Sequence, residues 1–342
     1  TYFFLDFFIM YKKLNFSFSD NLFYVLLSII SDVMPLRKIN RDIAIKVLKN
    51  FDINKNFFIK KIFEIKKIKK PLEIDDLAFL ITPILNSAGR IGNPLKVVHL
   101  LTGNNLITNE KIIKELIFLN EKRKVIENDI LSKIDLNNMA KKNEKVLVIH
   151  EKYFHEGLIG IIAAKLKEYF GKPCIVLTKS NKVYKASGRS TLDFNIGLYV
   201  KKAIDLGIII NGGGHNLAAG FTIDKNKIDP FIKFINSMYT RNSIIYKNSF
   251  LSKISLSALN SKFLNDISKT GPFGPFNPYP TFLLEKVRII NPKILKKKYI
   301  SFFIKSKSNR LVKAISFNLI SSNLSKNLLN NKNRMDLIVQ IK

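Results

Sequence analysis

The sequence predicts an α/β protein with a helical N-terminal region, a long connecting helix, a parallel α/β domain and a small C-terminal β-barrel. Three observations carry that prediction. Apolar residues recur at helical spacing from Asn109 to about Ala140 (Ile112, Leu116, Leu119, Ile126, Ile130, Ile134). Two buried-strand runs, at 146–149 and 174–177, flank an apolar-faced helical stretch at 157–170. Three short apolar or alternating runs then follow at 281–290, 299–304 and 311–317.

The elements follow in order. Residues 1 to about 50 read as helical, with an apolar run at 22–30. Ser31-Asp32-Val33-Met34-Pro35-Leu36 breaks that pattern, because proline ends or kinks a helix. Residues 60–70, rich in Lys and Ile, read as a solvated surface segment. An apolar run at 77–85 leads into Asn86-Ser87-Ala88-Gly89-Arg90-Ile91-Gly92-Asn93-Pro94, a loop by its Gly and Pro content. The helix from 109 would span about 45 Å, a length that suits a connector between two domains. The helix at 157–170 stops at Gly171-Lys172-Pro173, and the βαβ crossover implies a parallel strand pair. Residues 184–187 and 221–223 could add strands, and 229–239 a helix. Gly271-Pro272-Phe273-Gly274-Pro275-Phe276-Asn277-Pro278-Tyr279-Pro280 is a turn-rich boundary before the terminal strands, which suggest a barrel or sandwich. Phe302, Phe303 and Phe317 read as barrel core, with base stacking as the alternative.

A chain of 342 residues can hold two or three domains with real cores. Its net charge of +31 points to a polyanionic partner such as nucleic acid. An AT-rich coding sequence would also produce this excess of Lys, Asn, Ile and Phe. Only nine of the 57 basic residues are arginines, which run against that bias; Arg90 and Arg189 both sit in Gly-containing motifs. Cys174 is the sole cysteine, so no internal disulfide forms, and its apolar run makes it a buried thiol suited to a reducing cytoplasm. No apolar run approaches the roughly 20 residues of a membrane helix. The opening residues lack the features of a signal peptide. The chain begins at Thr1 and reads as a piece whose N-terminal part lies elsewhere.

The most informative stretch is Asn211-Gly212-Gly213-Gly214-His215, followed by Leu217-Ala218-Ala219, which reads as a short helix start. Glycines let a backbone approach a ligand closely, and N–H groups at a helix start favour an anion such as phosphate. His215 could then donate to that phosphate or handle a proton. The plain alternative is a tight turn with a surface histidine.

Four motifs stand in order: Ser31 to Leu36, Leu85-Asn86-Ser87-Ala88-Gly89-Arg90, Ser187-Gly188-Arg189-Ser190, and the Gly-Gly-Gly-His stretch. Between the second and third lies His155-Glu156-Gly157-Leu158-Ile159-Gly160-Ile161-Ile162-Ala163. Together they resemble the RecJ family of single-strand-specific 5′→3′ DNA exonucleases in the DHH phosphoesterase superfamily. The resemblance extends to Gly271-Pro272-Phe273-Gly274 with Asn277-Pro278, at the start of what would be an OB-fold. It implies four parts: residues 1–105 as the C-terminal part of a DHH catalytic domain, 106–142 as a connecting helix, 143–242 as a DHHA1 domain, and 250–342 as a nucleic-acid-binding OB-fold barrel. The Asp-His-His triplet that names the superfamily does not occur in this chain.

Phosphodiester hydrolysis needs an activated water and neutralised phosphoryl oxygens, which two metal ions held by Asp and His supply. The implied cofactor is Mn²⁺ or Mg²⁺. Asp32 matches the family's metal-binding aspartate; its other reading is an aspartate in a helix C-terminal turn. His215 and Asp32 are the implied catalytic residues. Arg90 could grip phosphate in a bidentate way, or be a surface or capping arginine. Ser187, Gly188, Arg189 and Ser190 would form a pocket for a terminal 5′ phosphate, or a structural turn. Gly212, Gly213 and Gly214 would carry phosphate on their backbone, and His155 is equally open to a structural or a substrate-contacting role. Asp6, Asp20, His99 and His150 match no motif.

The resemblance therefore implies an exonuclease acting in DNA repair and recombination, with single-stranded DNA as its partner. It implies a cytoplasmic monomer, with a single-strand-binding protein or helicase as candidate protein partners and no membrane. The 342-residue chain alone is expected to be inactive, since Asp32 is its one candidate ligand. The alternatives are a non-catalytic single-strand-binding remnant and a DHH/DHHA1 phosphoesterase acting on oligonucleotides or cyclic dinucleotides.

Overall fold

The computed structural model describes residues 2–13, 21–141, 144–239, 249–295, 299–306, 310–317, 323–330 and 334–341. In chain order the first helices are α1 (Tyr2–Tyr11), α2 (Leu22–Ser31), α3 (Ile39–Asn50), α4 (Phe57–Lys66), α5 (Ile74–Asp76), α6 (Thr82–Ile91), α7 (Leu95–Thr102), α8 (Leu106–Lys133) and α9 (Leu136–Lys141). A mixed region follows: β1 (Leu147–Glu151), α10 (Ile159–Phe170), β2 (Cys174–Ser180), β3 (Val183–Arg189), α11 (Ile196–Asp205), β4 (Asn211–His215), β5 (Ala218–Ile223) and α12 (Ile228–Ser237). The last part holds β6 (Ser252–Lys253), α13 (Ser261–Lys269), β7 (Thr281–Leu295), β8 (Tyr299–Lys305), β9 (Leu311–Ser316), α14 (Asn323–Asn330) and β10 (Met335–Gln340). The abundant asparagine is put to local use. Asn56, Asn105, Asn195 and Asn260 each accept a backbone N–H three residues on, capping α4, α8, α11 and α13.

The chain forms two compact units. The first comprises residues 1–55, 70–82 and 247–342. In it α2 packs on α3, burying Leu26, Leu27 and Ile30 with Ile43, Ala44 and Val47. The helix break ahead of Pro35 is where the sequence places it, with Asp32 as the C-cap of α2. The segment read as a boundary, 271–280, braces the turn that follows. Leu36, fully buried, donates its N–H to Pro275 O at 2.8 Å, and Arg37 Nε donates to Phe276 O at 2.6 Å. Arg41 Nη2 donates to the carbonyls of Gly271 at 2.7 Å and Thr270 at 3.0 Å.

The terminal strands form a sheet in the order β10-β7-β8-β9, with β6 parallel to β7. Its core joins Leu284, Val287, Ile300, Phe302 and Leu337 to Leu256 and Leu328. Among the described residues this sheet is open, where the sequence suggested a barrel or sandwich. The three aromatics separate. Phe302 is buried, but Phe303 and Phe317 are 40% and 73% exposed. Period-two alternation along β8 turns Ile300, Phe302 and Ile304 inward and leaves Phe303 outward.

The second unit comprises residues 56–69 and 83–246. Its sheet runs β1-β2-β3-β5-β4; β1 and β2 are parallel, as the βαβ pattern predicts, and the remaining pairs are antiparallel. On one face α10 sets Ile162, Ala163 and Leu166 against Leu147, Cys174 and Val176. On the other, α11 and α12 set Val200, Phe231 and Ile235 against Ile175, Ala186, Phe221 and Ile223. Burial pushes the Cys174 thiol up to about 12, so it is a packing group at neutral pH. Three local expectations give way. Residues 86–91 continue helix α6, since Gly89 is tolerated there and Pro94 caps α7. Residues 57–66 form α4, which buries Phe58, Ile59, Ile62 and Phe63 beneath its lysines. Leu217-Ala218-Ala219 opens strand β5, so the Gly-Gly-Gly-His stretch is one arm of a β-hairpin.

Candidate functional site

The hairpin decides the geometry of the site. In an antiparallel sheet directly opposed residues share a face. The register sets Lys185 against Thr222 and Thr222 against Asn211. It likewise aligns Ser187, Gly220 and Gly213, and then Arg189, Ala218 and His215. These three rows lie on the face of the sheet that α10 packs against. The middle row carries two glycines. A Cβ on Gly213 would meet nothing within 4 Å, and one on Gly220 only Ala186 O at 3.7 Å. The result is a cleft of about 420 Å³ with bare backbone for much of its floor.

Its cationic wall comes from two chain segments. Arg189 Nη1 donates to Ser187 Oγ at 3.2 Å and to Gly188 O at 2.9 Å. Arg90, in the last turn of α6, donates Nη1 to Gly157 O at 3.2 Å. Both guanidiniums are half-buried. Burial lowers the pKa of each, and for Arg90 the neighbouring charges of Arg123 and Arg189 lower it further. Each retains free N–H donors in a planar fork, the shape that matches a phosphate. Two glycines make this approach feasible. A Cβ on Gly157 would lie 2.0 Å from Arg90 O, and one on Gly160 would lie 3.1 Å from Ser187 Oγ and 3.2 Å from Arg189 Nη2.

The sequence motifs divide on inspection. Arg90, Ser187, Arg189 and Gly212 line the cleft together. Gly188 turns the other way, packed on Ile196 of α11, where a Cβ would stand 2.4 Å from Ile196 Cδ1. Ser190 is buried and donates its hydroxyl to Phe194 O at 2.6 Å, which gives it a structural post. Gly212 and Gly214 serve close packing: a Cβ would fall 2.5 Å from Phe221 Cβ and from Ala218 O, respectively. His215 is exposed at the end of β4, in the Arg189 row. His155 caps the turn before α10, its Nδ1 accepting from Gly157 N–H at 3.2 Å. Asp32 is exposed in the other unit, and Asp20 lies outside the described residues.

Sequence reading gave no site role to Lys185, Glu156, Asn211 and Thr222, which also line the cleft. For Lys185 a signal existed: alternation in β3 puts it on the face of Ser187 and Arg189 once Tyr184, Ala186 and Gly188 are read as the buried face. Asp32 is an oxygen donor of the kind that Mn²⁺ or Mg²⁺ takes. Among the described residues no three His, Cys, Asp or Glu side chains cluster to hold an ion. Asp32 alone does not make a two-metal site.

Comparison with known proteins adds the following. Residues 143–240 match the DHHA1 domain and residues 252–342 the RecJ OB domain. The chain is 26% identical over 314 residues to the single-stranded-DNA-specific exonuclease RecJ of Salmonella typhimurium, covering 86% of this chain and 54% of that one. It is 24% identical over 319 residues to the enzyme of the same name from Dickeya dadantii, with the same two coverages of 86% and 54%. The crystal structure of RecJ in complex with Mn²⁺ from Thermus thermophilus superposes with a TM-score of 0.75 at 21% identity, covering 92% of this chain and 45% of that one. The chain spans about half the length of the curated relatives it matches.

Proposed function

We propose that this chain is part of a RecJ-type single-stranded-DNA-specific exonuclease, in which its DHHA1 domain holds the phosphorylated end of the strand. The observation that carries the reading is the cleft itself. Arg90, Ser187 and Arg189 converge beside a floor whose middle row is Ser187 and Gly220, with Gly213 next to Gly220 in the register. Arg189 offers a planar fork, Ser187 a hydroxyl, and Arg90 a second guanidinium. A terminal phosphate carries more charge than an internal diester, so paired guanidiniums favour the end over the interior of a strand. The bare backbone lets the first nucleotide lie close to the sheet. His215, at the end of the Arg189 row, would contact the strand as it leaves.

In this reading Asp32 contributes one ligand to a Mn²⁺ or Mg²⁺ site, and RecJ structures with either ion support that choice of metals. The donors described here do not complete such a site. Strand holding would be shared with the C-terminal sheet, whose outer face carries Phe303 and Phe317 beside Lys313 and Lys305. Among the described residues no helix is long and apolar enough to cross a membrane.

The test is end discrimination. The chain should bind a 5′-phosphorylated single strand more tightly than the same strand ending in hydroxyl, and Arg189→Ala should erase the difference. A charge-assisted hydrogen bond contributes about 1.5–3 kcal/mol, so the preference to be lost is about tenfold or more. Equal weakening for both ends would make Arg189 a general backbone contact. No change for either would return the Ser187–Ser190 turn to a structural role.

A further inference from the structure

Among the described residues lining the cleft three are basic, Arg90, Lys185 and Arg189, and one is acidic, Glu156. The acid is held in place from two sides. Ser180 Oγ donates to Glu156 Oε2 at 3.2 Å, and Lys185 Nζ donates to Glu156 Oε1. The turn carrying Glu156 is itself pinned, because Thr178 Oγ1 donates to Phe154 O at 2.7 Å. Lys185 thus differs from its two cationic neighbours. Arg90 and Arg189 spend part of their donors on backbone and hydroxyl oxygens and keep their charge for a ligand. Lys185 is neutralised by a carboxylate.

Lys185 lies on the Ser187 and Arg189 face of β3, two residues from Ser187. At about 3.3 Å per residue it stands about 7 Å along the strand from Ser187, which places it beside the next phosphodiester of a strand whose terminal phosphate sits at Ser187 and Arg189. Lys185 and Glu156 are 46% and 47% exposed, so the pair can open without unfolding anything.

We propose that Glu156 is a charge gate for a second phosphate subsite, built on Lys185. With the cleft empty, Glu156 holds Lys185. When a phosphorylated end docks, the next phosphodiester takes Lys185 from Glu156. The second contact therefore forms only when a strand follows the terminal phosphate, and a free phosphate or mononucleotide gains nothing from it. This rests on the end-binding reading of the cleft given above.

The experiment uses the full chain with a 5′-phosphorylated oligothymidylate as probe, and compares wild type, Glu156→Gln, Lys185→Gln and the double variant across a salt series. Gln keeps the Ser180 hydrogen bond and removes the charge. An exposed ion pair is worth up to about 1 kcal/mol, so Glu156→Gln should tighten binding about threefold. In both backgrounds Lys185→Gln should make the log–log salt slope shallower by about 0.7, the single-strand value per phosphate neutralised. Lys185→Gln should weaken binding less in wild type than in the Glu156→Gln background, where the contribution of Lys185 is no longer offset. Equal losses in the two backgrounds, or a Glu156→Gln variant with unchanged affinity, would overturn the gate. Arg189→Ala separates the two claims. An end preference that survives that substitution overturns the pocket itself, whereas a lost preference with additive Glu156 and Lys185 effects overturns the gate alone.

Discussion

A Cβ built on Gly214 would lie 2.5 Å from Ala218 O and 2.6 Å from the Ala219 Cβ, whereas one on Gly220 meets only Ala186 O at 3.7 Å. The two glycines of one hairpin therefore answer to different demands. Gly214 lets strands β4 and β5 meet under helix α11, whose Gly197 would place a Cβ 2.7 Å from His215 N. Gly220 strips the cleft floor. Gly214→Ala should cost about 1–3 kcal/mol of stability, the usual range for forced overpacking. Gly220→Ala should leave stability within about 0.5 kcal/mol and still weaken binding of a single strand, because its methyl group stands where the nucleotide backbone would lie. Urea melts and oligonucleotide titrations on the two variants check both halves. Equal destabilisation by both would remove the distinction and with it the open floor. Neither glycine has a positive φ, so conformational freedom plays no part in the argument.

At the scale of elements, α8 shows how a long helix is fixed within its unit. It runs for 28 residues, about 42 Å, and buries Glu127 on the side facing α10. Arg123 Nη1 donates to Glu127 Oε2 at 2.7 Å, Lys165 of α10 reaches Glu127 Oε1, and Arg123 Nε also donates to Asn120 Oδ1 at 3.2 Å. Removing one partner of a buried pair leaves the other charge uncompensated. Glu127→Ala should therefore destabilise the chain by about 3 kcal/mol or more, read as a lower urea midpoint with an unchanged slope; a loss below about 1 kcal/mol would make the pair a surface contact. The long helix and the βαβ unit were legible because their periodicities run over many residues. The hairpin was not. Leu217-Ala218-Ala219 is too short for its apolar run to choose between helix and strand, and three glycines look like a loop until strand β5 and helix α11 are there to pack against. Arg90 stood out by residue type as a candidate phosphate ligand, but its place in the last turn of α6 was hidden by Gly89 and Pro94, which mimic loop punctuation. Lys185 was missed because its one signal, the alternation along β3, shows only once the buried face of that strand is fixed.

Across the whole molecule the +31 charge has two sources to separate, a polyanionic partner and biased codon usage. The outer face of the C-terminal sheet offers a way to do so. Phe303 and Phe317 are exposed there, Tyr299 packs edge-on to Phe317 at 5.3 Å between ring centroids, and Lys313 pairs directly with Phe303 across β8 and β9. Aromatic stacking on bases is worth about 1–3 kcal/mol per base and does not release counterions, whereas each phosphate neutralised by a lysine steepens the salt slope by about 0.7. The two contributions should therefore come apart under substitution. Phe303→Ala and Phe317→Ala should each weaken single-strand binding about fivefold or more while leaving the salt slope unchanged. Lys313→Gln should shift the slope and cost little at high salt. If the charge reflects only codon usage, duplex and single strand should bind alike, with a steep slope and no loss from either phenylalanine. A face built for single strands requires the reverse: preference for the unpaired strand, lost when the exposed rings are removed and retained when the lysine is.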